Sequence, residues 1–443
     1  MKRKAAKQCL NRRRFLVTTG LTIGGICFGR SARCEPEHSD GSGGKPNIIV
    51  ILSDDQGYAD VSCYDHAQEV DTPSIDILAR DGVRLTDGYA SCPVCAPTRA
   101  GLLTGRYQQR FGIYYNSDVP ASTFDKEITV ARVLKNCGYA TGMVGKWHLG
   151  SDSGKLPYNK GFDEFFGFLG GGHKYFDLDQ KGNPLYRNNE IVRGEKGYLT
   201  DVFTREAVSF IDRHGKTTKP FFLYLPYNAP HKPEEAREKY LKKFDTGDPT
   251  RDNYLARLAS LDEGIGKVLD ALTRNGVYDN TLILFLSDNG GTSAGADNGI
   301  LQGGKCTFYE GGIRVPFLIS WPNRLPAGRV CSVPIISLDI FPSAIAAAGG
   351  NMPVDRIYDG RNMLAVLEGK TKGPLHDSLF WDTGRGSWSA RHGNWKLVCP
   401  DGSNCELYDL QVDLCETHNL AQHRPNMVRK LKKLHESWRK QMA

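Results

Sequence analysis

The chain has 443 residues, 40% of them hydrophobic and 24% charged. That composition excludes a disordered chain and a multi-span membrane protein, and the length suits one large α/β domain with a smaller appendage. The formal charge of +7 belongs to the leader: residues 1–34 carry nine Lys and Arg and no acid, which leaves −2 on the rest. Charge therefore gives no argument for nucleic-acid binding.

In the leader, Asn11-Arg12-Arg13-Arg14-Phe15-Leu16 opens a weakly apolar run that ends at Phe28. The run is too short to span a bilayer, and its flanks fit an export signal. The paired arginines resemble the twin-arginine signal, which exports folded proteins from the bacterial cytoplasm. Residues 1–34 are expected to be that signal, and 35–45 a Gly/Ser/Asp linker. The expected destination is the periplasm or the exterior, reached by the twin-arginine machinery. The mature protein is expected to have no transmembrane domain.

From Pro46 strands and helices alternate. Asn47 to Leu52 is a continuous apolar run, as in a buried strand, and it ends at Ser53-Asp54-Asp55-Gln56-Gly57. Thr72-Pro73 opens a helix through Arg80. Ile128 to Cys137 predicts a second helix, and Tyr139 to Val144 a strand that ends at Gly145-Lys146-Trp147-His148. Gly161 to His173 is aromatic and glycine-rich without a period, and reads as loop. Asp201 to Asp212 predicts a helix, Phe221 to Leu225 a strand ending at Ala229-Pro230-His231, and Arg251 to Asn275 a long helix. Thr281 to Leu286 predicts a strand ending at Ser287-Asp288-Asn289-Gly290, Phe317 to Trp321 another, and Ile335 to Ala348 a helix. Past about residue 370 short alternating strands appear, Asn394 to Val398 and Glu406 to Leu410, then a basic amphipathic helix from Asn426 to Lys440. The expected fold is α/β: a large, mainly parallel mixed sheet flanked by helices over 46–370, and a small C-terminal antiparallel sheet with a helix over 371–443. Cys399 and Cys405 flank a turn and could pair.

The chemistry gathers where buried strands stop. In a parallel sheet those ends share one edge, so residues far apart in sequence converge. Asp54, Asp55, Asp288 and Asn289 offer oxygen ligands, which suit Ca²⁺ or Mg²⁺; zinc would want His or Cys. A single Asp-Asp or Asp-Asn pair is more often a turn or cap, but two such pairs after two buried strands favour a cation site. Lys146, His148, His231 and Lys305 add cations for a bound anion and proton donors for a leaving alcohol. Between them lies Cys92-Pro93-Val94-Cys95-Ala96-Pro97-Thr98-Arg99. Its Cys-x-x-Cys spacing also permits a thioredoxin-like redox pair.

Together these residues resemble the formylglycine-dependent sulfatases of the alkaline-phosphatase-like superfamily, of the exported bacterial carbohydrate-sulfatase type. The resemblance runs from about Asn47 to Leu420. It is carried by Asp54-Asp55-x-Gly57, Cys95-x-Pro97-x-Arg99 with Leu103-Thr104-Gly105-Arg106, and Gly145-Lys146-Trp147-His148. Ala229-Pro230-His231-x-Pro233, Ser287-Asp288-Asn289-Gly290, Gly304-Lys305-x-Thr307 and Glu406-Leu407-Tyr408-Asp409-Leu410 complete it. Thr98 stands where the family often has Ser.

The resemblance implies hydrolysis of sulfate monoesters, with a sulfated polysaccharide or oligosaccharide as substrate. It implies that a formylglycine-generating enzyme oxidises Cys95 to an aldehyde, whose hydrate attacks sulfur and later expels sulfate. By the match, Asp54, Asp55, Cys95, Asp288 and Asn289 ligate Ca²⁺, with Mg²⁺ the alternative. Arg99 and Lys146 steady the formylglycine hydroxyls, His148 triggers sulfate elimination, and His231 and Lys305 contact the sulfate. His173, Lys174 and Tyr175 are candidates for contact with a sugar. Two competing readings are a phosphonate or phosphate ester hydrolase on the same fold and a carbohydrate-binding protein without activity. The second would be expected to have lost Cys95 or a ligand, and every position is present.

Overall fold

The computed structural model describes residues 44–64 and 69–442. The expected export signal, and all but the end of the expected linker, lie outside the described residues.

The centre is the strand Asn47–Ser53 (β1), every residue of which is buried. In chain order the other strands are Gly82–Leu85 (β2), Gly88–Tyr89 (β3), Ala140–Lys146 (β4), Glu164–Phe168 (β5), Tyr186–Arg187 (β6) and Glu190–Ile191 (β7). Phe221–Pro226 (β8), Thr281–Ser287 (β9), Phe317–Ser320 (β10), Arg329–Cys331 (β11) and Ile335–Ile336 (β12) follow. Ten of them form one sheet in the order β11-β2-β10-β9-β1-β8-β4-β5-β6-β7. The middle is parallel: β1 pairs with β9 and β8, β8 with β4, and β4 with β5. Antiparallel strands close both sides.

Alternation along β1 explains its all-apolar sequence. Ile48, Val50 and Leu52 pack into one core with the helices Cys95–Thr104, Val130–Asn136 and Ile340–Ala347. Ile49 and Ile51 pack into the other, with the helices Pro73–Arg80, Leu199–His214 and Pro249–Arg274. A strand covered on both faces has no side that water would reward with polar residues. The long helix starts where the chemistry says it should. Pro249 is its first residue, and the Asp248 carboxylate accepts the Thr250 N–H at 2.9 Å.

Two sequence expectations fail here. Gly161 to His173 is not all loop: Glu164–Phe168 is β5, parallel to β4, with Phe165 in one core and Phe166 in the other. The glycines hid it. Gly145 and Gly167 face each other across the pair, and a Cβ on Gly167 would lie 1.8 Å from the Gly145 carbonyl oxygen. The helix expected from Ile335 begins only at Ile340. Ile335–Ile336 instead pairs in parallel with Gly88–Tyr89, and the Asp339 carboxylate accepts the Ile336 N–H at 2.9 Å.

At the C-terminus, Ser378–Asp382 (β13), Trp388–His392 (β14), Trp395–Cys399 (β15) and Glu406–Asp409 (β16) form an antiparallel sheet. The helix Pro425–Lys440 covers it with Leu431, His435 and Trp438. Cys399 and Cys405 form a disulfide across their turn. Six buried charges join this sheet to the large one. Lys396 reaches Glu310 at 2.7 Å and Glu416 at 2.8 Å, while Arg314 and Arg391 each lie 3.0 Å from Asp87.

Candidate active site

The carboxyl ends of β9, β1, β8 and β4 lie side by side, and each delivers a polar group to one place. Past β1 come Asp54 and Asp55; past β9 come Asp288 and Asn289; Lys146 is the last residue of β4. Cys95 is the first residue of a helix buried along its whole length. One ligand atom each from Asp54, Asp55, Cys95 and Asp288 lies within 4.8 Å of all the others.

Fixed cations surround the acids. Lys146 Nζ donates to Asp54 Oδ2 at 2.5 Å. The Arg99 guanidinium donates to Asp288 Oδ2 through Nε at 3.0 Å and Nη2 at 2.7 Å, and lies 3.3 Å from Asp54. Lys305 Nζ donates to Asp55 Oδ2 at 2.8 Å. Burial alone would raise the Asp54 carboxyl, but Lys146, His231, Arg99 and Lys305 hold it well below the usual carboxylate range. Asp288 goes the other way: burial, reinforced by Asp54, pushes it up to about 6. Burial also pushes the Cys95 thiol up to about 12, so Cys95 is not a thiolate at neutral pH.

Asn289 carries a further mark. Its Nδ2 donates to Asp55 Oδ1 at 2.8 Å, but its buried Oδ1 has no hydrogen-bond partner among the described residues. A buried amide oxygen without a donor costs free energy unless something electropositive meets it. Beside three carboxylates, that atom completes an oxygen-rich donor set suited to a hard divalent cation. The residues present therefore fit Ca²⁺ or Mg²⁺.

The two histidines stand at the mouth. His231 Nε2 lies 3.6 Å from Asp55 Oδ2, and its Nδ1 lies 2.7 Å from the Lys232 carbonyl oxygen. A carbonyl only accepts, so Nδ1 carries a proton, and Nε2 is the ring nitrogen that faces the acids. His148 is half-buried, and its buried Nδ1 has no hydrogen-bond partner among the described residues. Burial, with Lys146 and Arg99 nearby, holds it well below the ordinary histidine value. Its ring abuts Gly171, where a Cβ would sit 2.6 Å from Nε2. Asp55, His148 and Cys306 have φ of 62°, 61° and 71°, a left-handed region that costs non-glycine residues energy and that clusters at functional sites.

All ten residues singled out in the sequence thus gather around one point. The sugar-contact candidates do not fare alike. Tyr175 is fully buried, its hydroxyl donating to the His231 carbonyl at 2.7 Å, so it supports the loop from within. His173 is buried, and Lys174 is exposed. The glycines before them do line a cavity of about 440 Å³ beside His148, with Asn116, Gln180, Asn183 and Tyr186. Sequence reasoning missed Asn116, whose Oδ1 accepts the Ala96 N–H at 3.0 Å and so braces the helix start that carries Cys95. It also missed Ser287, whose Oγ donates to the Asn289 carbonyl at 2.8 Å and accepts the Gln56 N–H at 3.0 Å. Nothing in a lone Asn or Ser marks such a contact. Cys92 and Cys95 are both free thiols, not a redox pair joined as a disulfide.

The chain is similar to known proteins over most of its length. The family model named Sulfatase matches residues 46–350. A second, named N-sulphoglucosamine sulphohydrolase, C-terminal, matches residues 304–442. Uncharacterized sulfatase YdeN of Escherichia coli (strain K12) is 36% identical over 397 residues, covering 78% of this chain and 70% of that protein. Human N-acetylgalactosamine-6-sulfatase is 33% identical over 415 residues, covering 85% of this chain and 78% of that protein. The crystal structure of Ps i-CgsB in complex with k-i-k-neocarrahexaose superposes with a TM-score of 0.84 at 36% identity, covering 89% of this chain and 93% of that one. The phosphonate monoester hydrolase of Agrobacterium radiobacter shares the fold at 22% identity. The chain belongs to the sulfatase family and is a sulfuric ester hydrolase with the alkaline-phosphatase-like fold.

Proposed function

We propose that the enzyme removes sulfate from a sulfated polysaccharide or its oligosaccharides, using a formylglycine made from Cys95 and a divalent cation. The observation that carries this reading is the packed set Asp54, Asp55, Cys95 and Asp288 beside the unpartnered Asn289 Oδ1. Carbohydrate is favoured because the complex of Ps i-CgsB holds a neocarrahexaose and human N-acetylgalactosamine-6-sulfatase is named for a sugar. The open cavity beside His148 gives a sugar room.

In this reading Asp54, Asp55, Asp288, Asn289 and the modified Cys95 hold the cation, Ca²⁺ by preference and Mg²⁺ as the alternative. Formylglycine and the cation supply a hydrated, acidified nucleophile and a polarised sulfate when present. The chain's own residues do the rest. Arg99 and Lys146 pair with Asp288 and Asp54 and keep positive charge beside Cys95. Lys305 and His231 face the sulfate from the Asp55 side. The negative charge of a bound sulfate ester raises the proton affinity of His231 Nε2, which readies it to protonate the leaving alcohol. His148, neutral and without a partner at Nδ1, is the base that releases sulfate.

The same reading includes maturation by a formylglycine-generating enzyme and export to the periplasm or beyond. No helix among the described residues is long and apolar enough to cross a membrane. It also sets the boundary between catalytic domain and C-terminal subdomain near residue 370.

The test has two parts. The peptide containing Cys95 is expected to be lighter than its thiol form, because oxygen replaces sulfur, whereas ordinary thiol oxidation adds mass. The enzyme is then expected to release sulfate from defined sulfated oligosaccharides far faster than it cleaves a phosphonate monoester. An unmodified thiol in active enzyme, or preference for the phosphonate, would overturn the proposal.

A pH dependence follows from His148. A base must be neutral to act, and burial with Lys146 and Arg99 keeps this one neutral down to a lower pH than usual. The acid limb of kcat/KM is expected below the ordinary histidine value of 6.5. An acid limb above that value, removed by His148→Ala, would contradict the role.

A further inference from the structure

The charge of this protein is unevenly placed. Between Arg424 and Lys440 stand seven Lys and Arg and one acid, Glu436. That is +6 on the helix together with its N-cap residue Arg424, while the rest of the chain beyond the leader carries −8. The helix buries Leu431, His435 and Trp438 against the C-terminal sheet, so its opposite face meets solvent. On that face Arg429, Lys433 and Lys440 fall in one line, at spacings of four and seven residues, and all are exposed. The line is about 16 Å long. Among the described residues, Lys432, Lys433 and Lys440 make no ion pair. Fold stability does not explain them.

The end of the helix lies beside the rim of the site. Arg439 Nε is 3.8 Å from Asp382 Oδ2, and the Gly384 N–H donates to the other oxygen of that carboxylate at 2.6 Å. Next in the chain, Arg385 sets its guanidinium 5.0 Å from the centre of the Tyr115 ring. The Tyr115 hydroxyl lies 3.5 Å from Cys306 Sγ, next to Lys305. Exposed arginines therefore link the reaction site to the helix: Arg385, which pairs with Asp118 at 3.2 Å, and Arg439, 3.8 Å from Asp382, lead to the exposed Lys440, Lys433 and Arg429.

We propose that this track is a docking surface for a sulfated polysaccharide chain, separate from the residues that act on the scissile ester. The inference rests on the carbohydrate reading above. Charge complementarity selects the partner: the substrate is a sulfate ester, and a polymer of such esters is a polyanion long enough to engage both places at once. A second point of attachment turns binding at the site into an intramolecular event, which raises affinity without a new catalytic contact. An anionic membrane fits less well, because the apolar face that would enter it is already covered by the sheet.

The experiment compares the wild-type protein with the triple variant Arg429→Gln, Lys433→Gln, Lys440→Gln. The readouts are affinity for dextran sulfate and turnover of a small aryl sulfate. Dextran sulfate affinity is expected to fall about tenfold in the variant, to weaken with salt in the wild type, and to return when the three positions are all Arg. Aryl sulfate turnover is expected to be unchanged. Equal affinity of the two proteins for dextran sulfate would overturn the proposal. So would a parallel loss of aryl sulfate turnover, or tighter wild-type binding to duplex DNA or phosphatidylglycerol vesicles than to dextran sulfate. If dextran sulfate affinity falls as expected but no sulfated oligosaccharide is turned over, the docking surface stands and the carbohydrate reading of the active site fails.

Discussion

Cys95→Ala is expected to reduce sulfate ester turnover by roughly 10⁴-fold or more, to the level of background hydrolysis, with the fold intact. The side chain opens a fully buried helix, but its Sγ makes a single weak contact, 3.8 Å from Asp54 Oδ1. Alanine keeps the helix start, and Asn116 still accepts the Ala96 N–H. Thermal unfolding should therefore shift by only a few degrees, as for loss of about 1 kcal/mol of packing. Cys95→Ser keeps the shape and a hydroxyl but supplies no aldehyde, and it should be as inactive in any host that cannot oxidise serine. Substantial activity in either variant would sink the formylglycine reading, because an unmodified thiol held near pKa 12 by burial is no better a nucleophile than its replacements.

The second large effect lies away from the reaction. Lys396→Met is expected to destabilise the protein by about 3–5 kcal/mol. Lys396 is fully buried between Glu310 and Glu416, and removing it leaves two buried carboxylates facing each other. A surface lysine would change stability by less than about 0.5 kcal/mol, so unfolding measurements separate the cases cleanly. The deficit should depend on pH in a defined sense. In the wild type, burial raises Glu416 to about 7, with Lys396 opposing and Glu310 reinforcing, from an ordinary value of 4.5. A carboxyl raised in the folded state contributes stability that is present below its unfolded value and is lost as pH rises through its folded value. Without Lys396 that rise should grow, so the variant should lag the wild type most at pH 8 and least near pH 5. A deficit that grew toward acid would contradict the assignment.

Activity should fall with it. Glu310 belongs to the segment that begins at Lys305, and Gly290, next to Asn289, donates its N–H to the Gly312 carbonyl at 2.9 Å. Loosening Glu310 therefore loosens the placement of Lys305 and Asn289 together. The C-terminal sheet reaches the site through this network, although it contributes none of the ten residues singled out.

Much of the site was legible because its residues sit where buried strands end. Continuous apolar runs announce strands covered on both faces, and the polar residues after them must share one edge. That is how Asp54, Asp288, Lys146 and His231, scattered over 235 positions, fall into one group on sequence order alone. Periodicity failed where composition mimicked a loop. In β5 the glycines are there for close backbone approach to β4, and the aromatic residues fill two cores at once. It failed again at Ile335–Ile336, where a two-residue pairing with Gly88–Tyr89 outweighed an apolar run that read as helix.

By itself the sequence determined the α/β pattern, the strand ends that carry the polar groups, and the oxygen-rich donor set, because each rests on local order: apolar runs, breakers and residue type. Only the tertiary structure decided which donors lack partners. Among the described residues Asn289 Oδ1 and His148 Nδ1 are unpartnered because of what fails to come near them, and no local pattern encodes that. It also decided that Tyr175 props the His231 loop from beneath, and that Lys396 is buried against Glu310 from 86 positions away. In the sequence a lone lysine, tyrosine or asparagine looks like a solvated surface residue. Long-range packing removes the water, and with the water gone each of these polar groups must find a partner or wait for one.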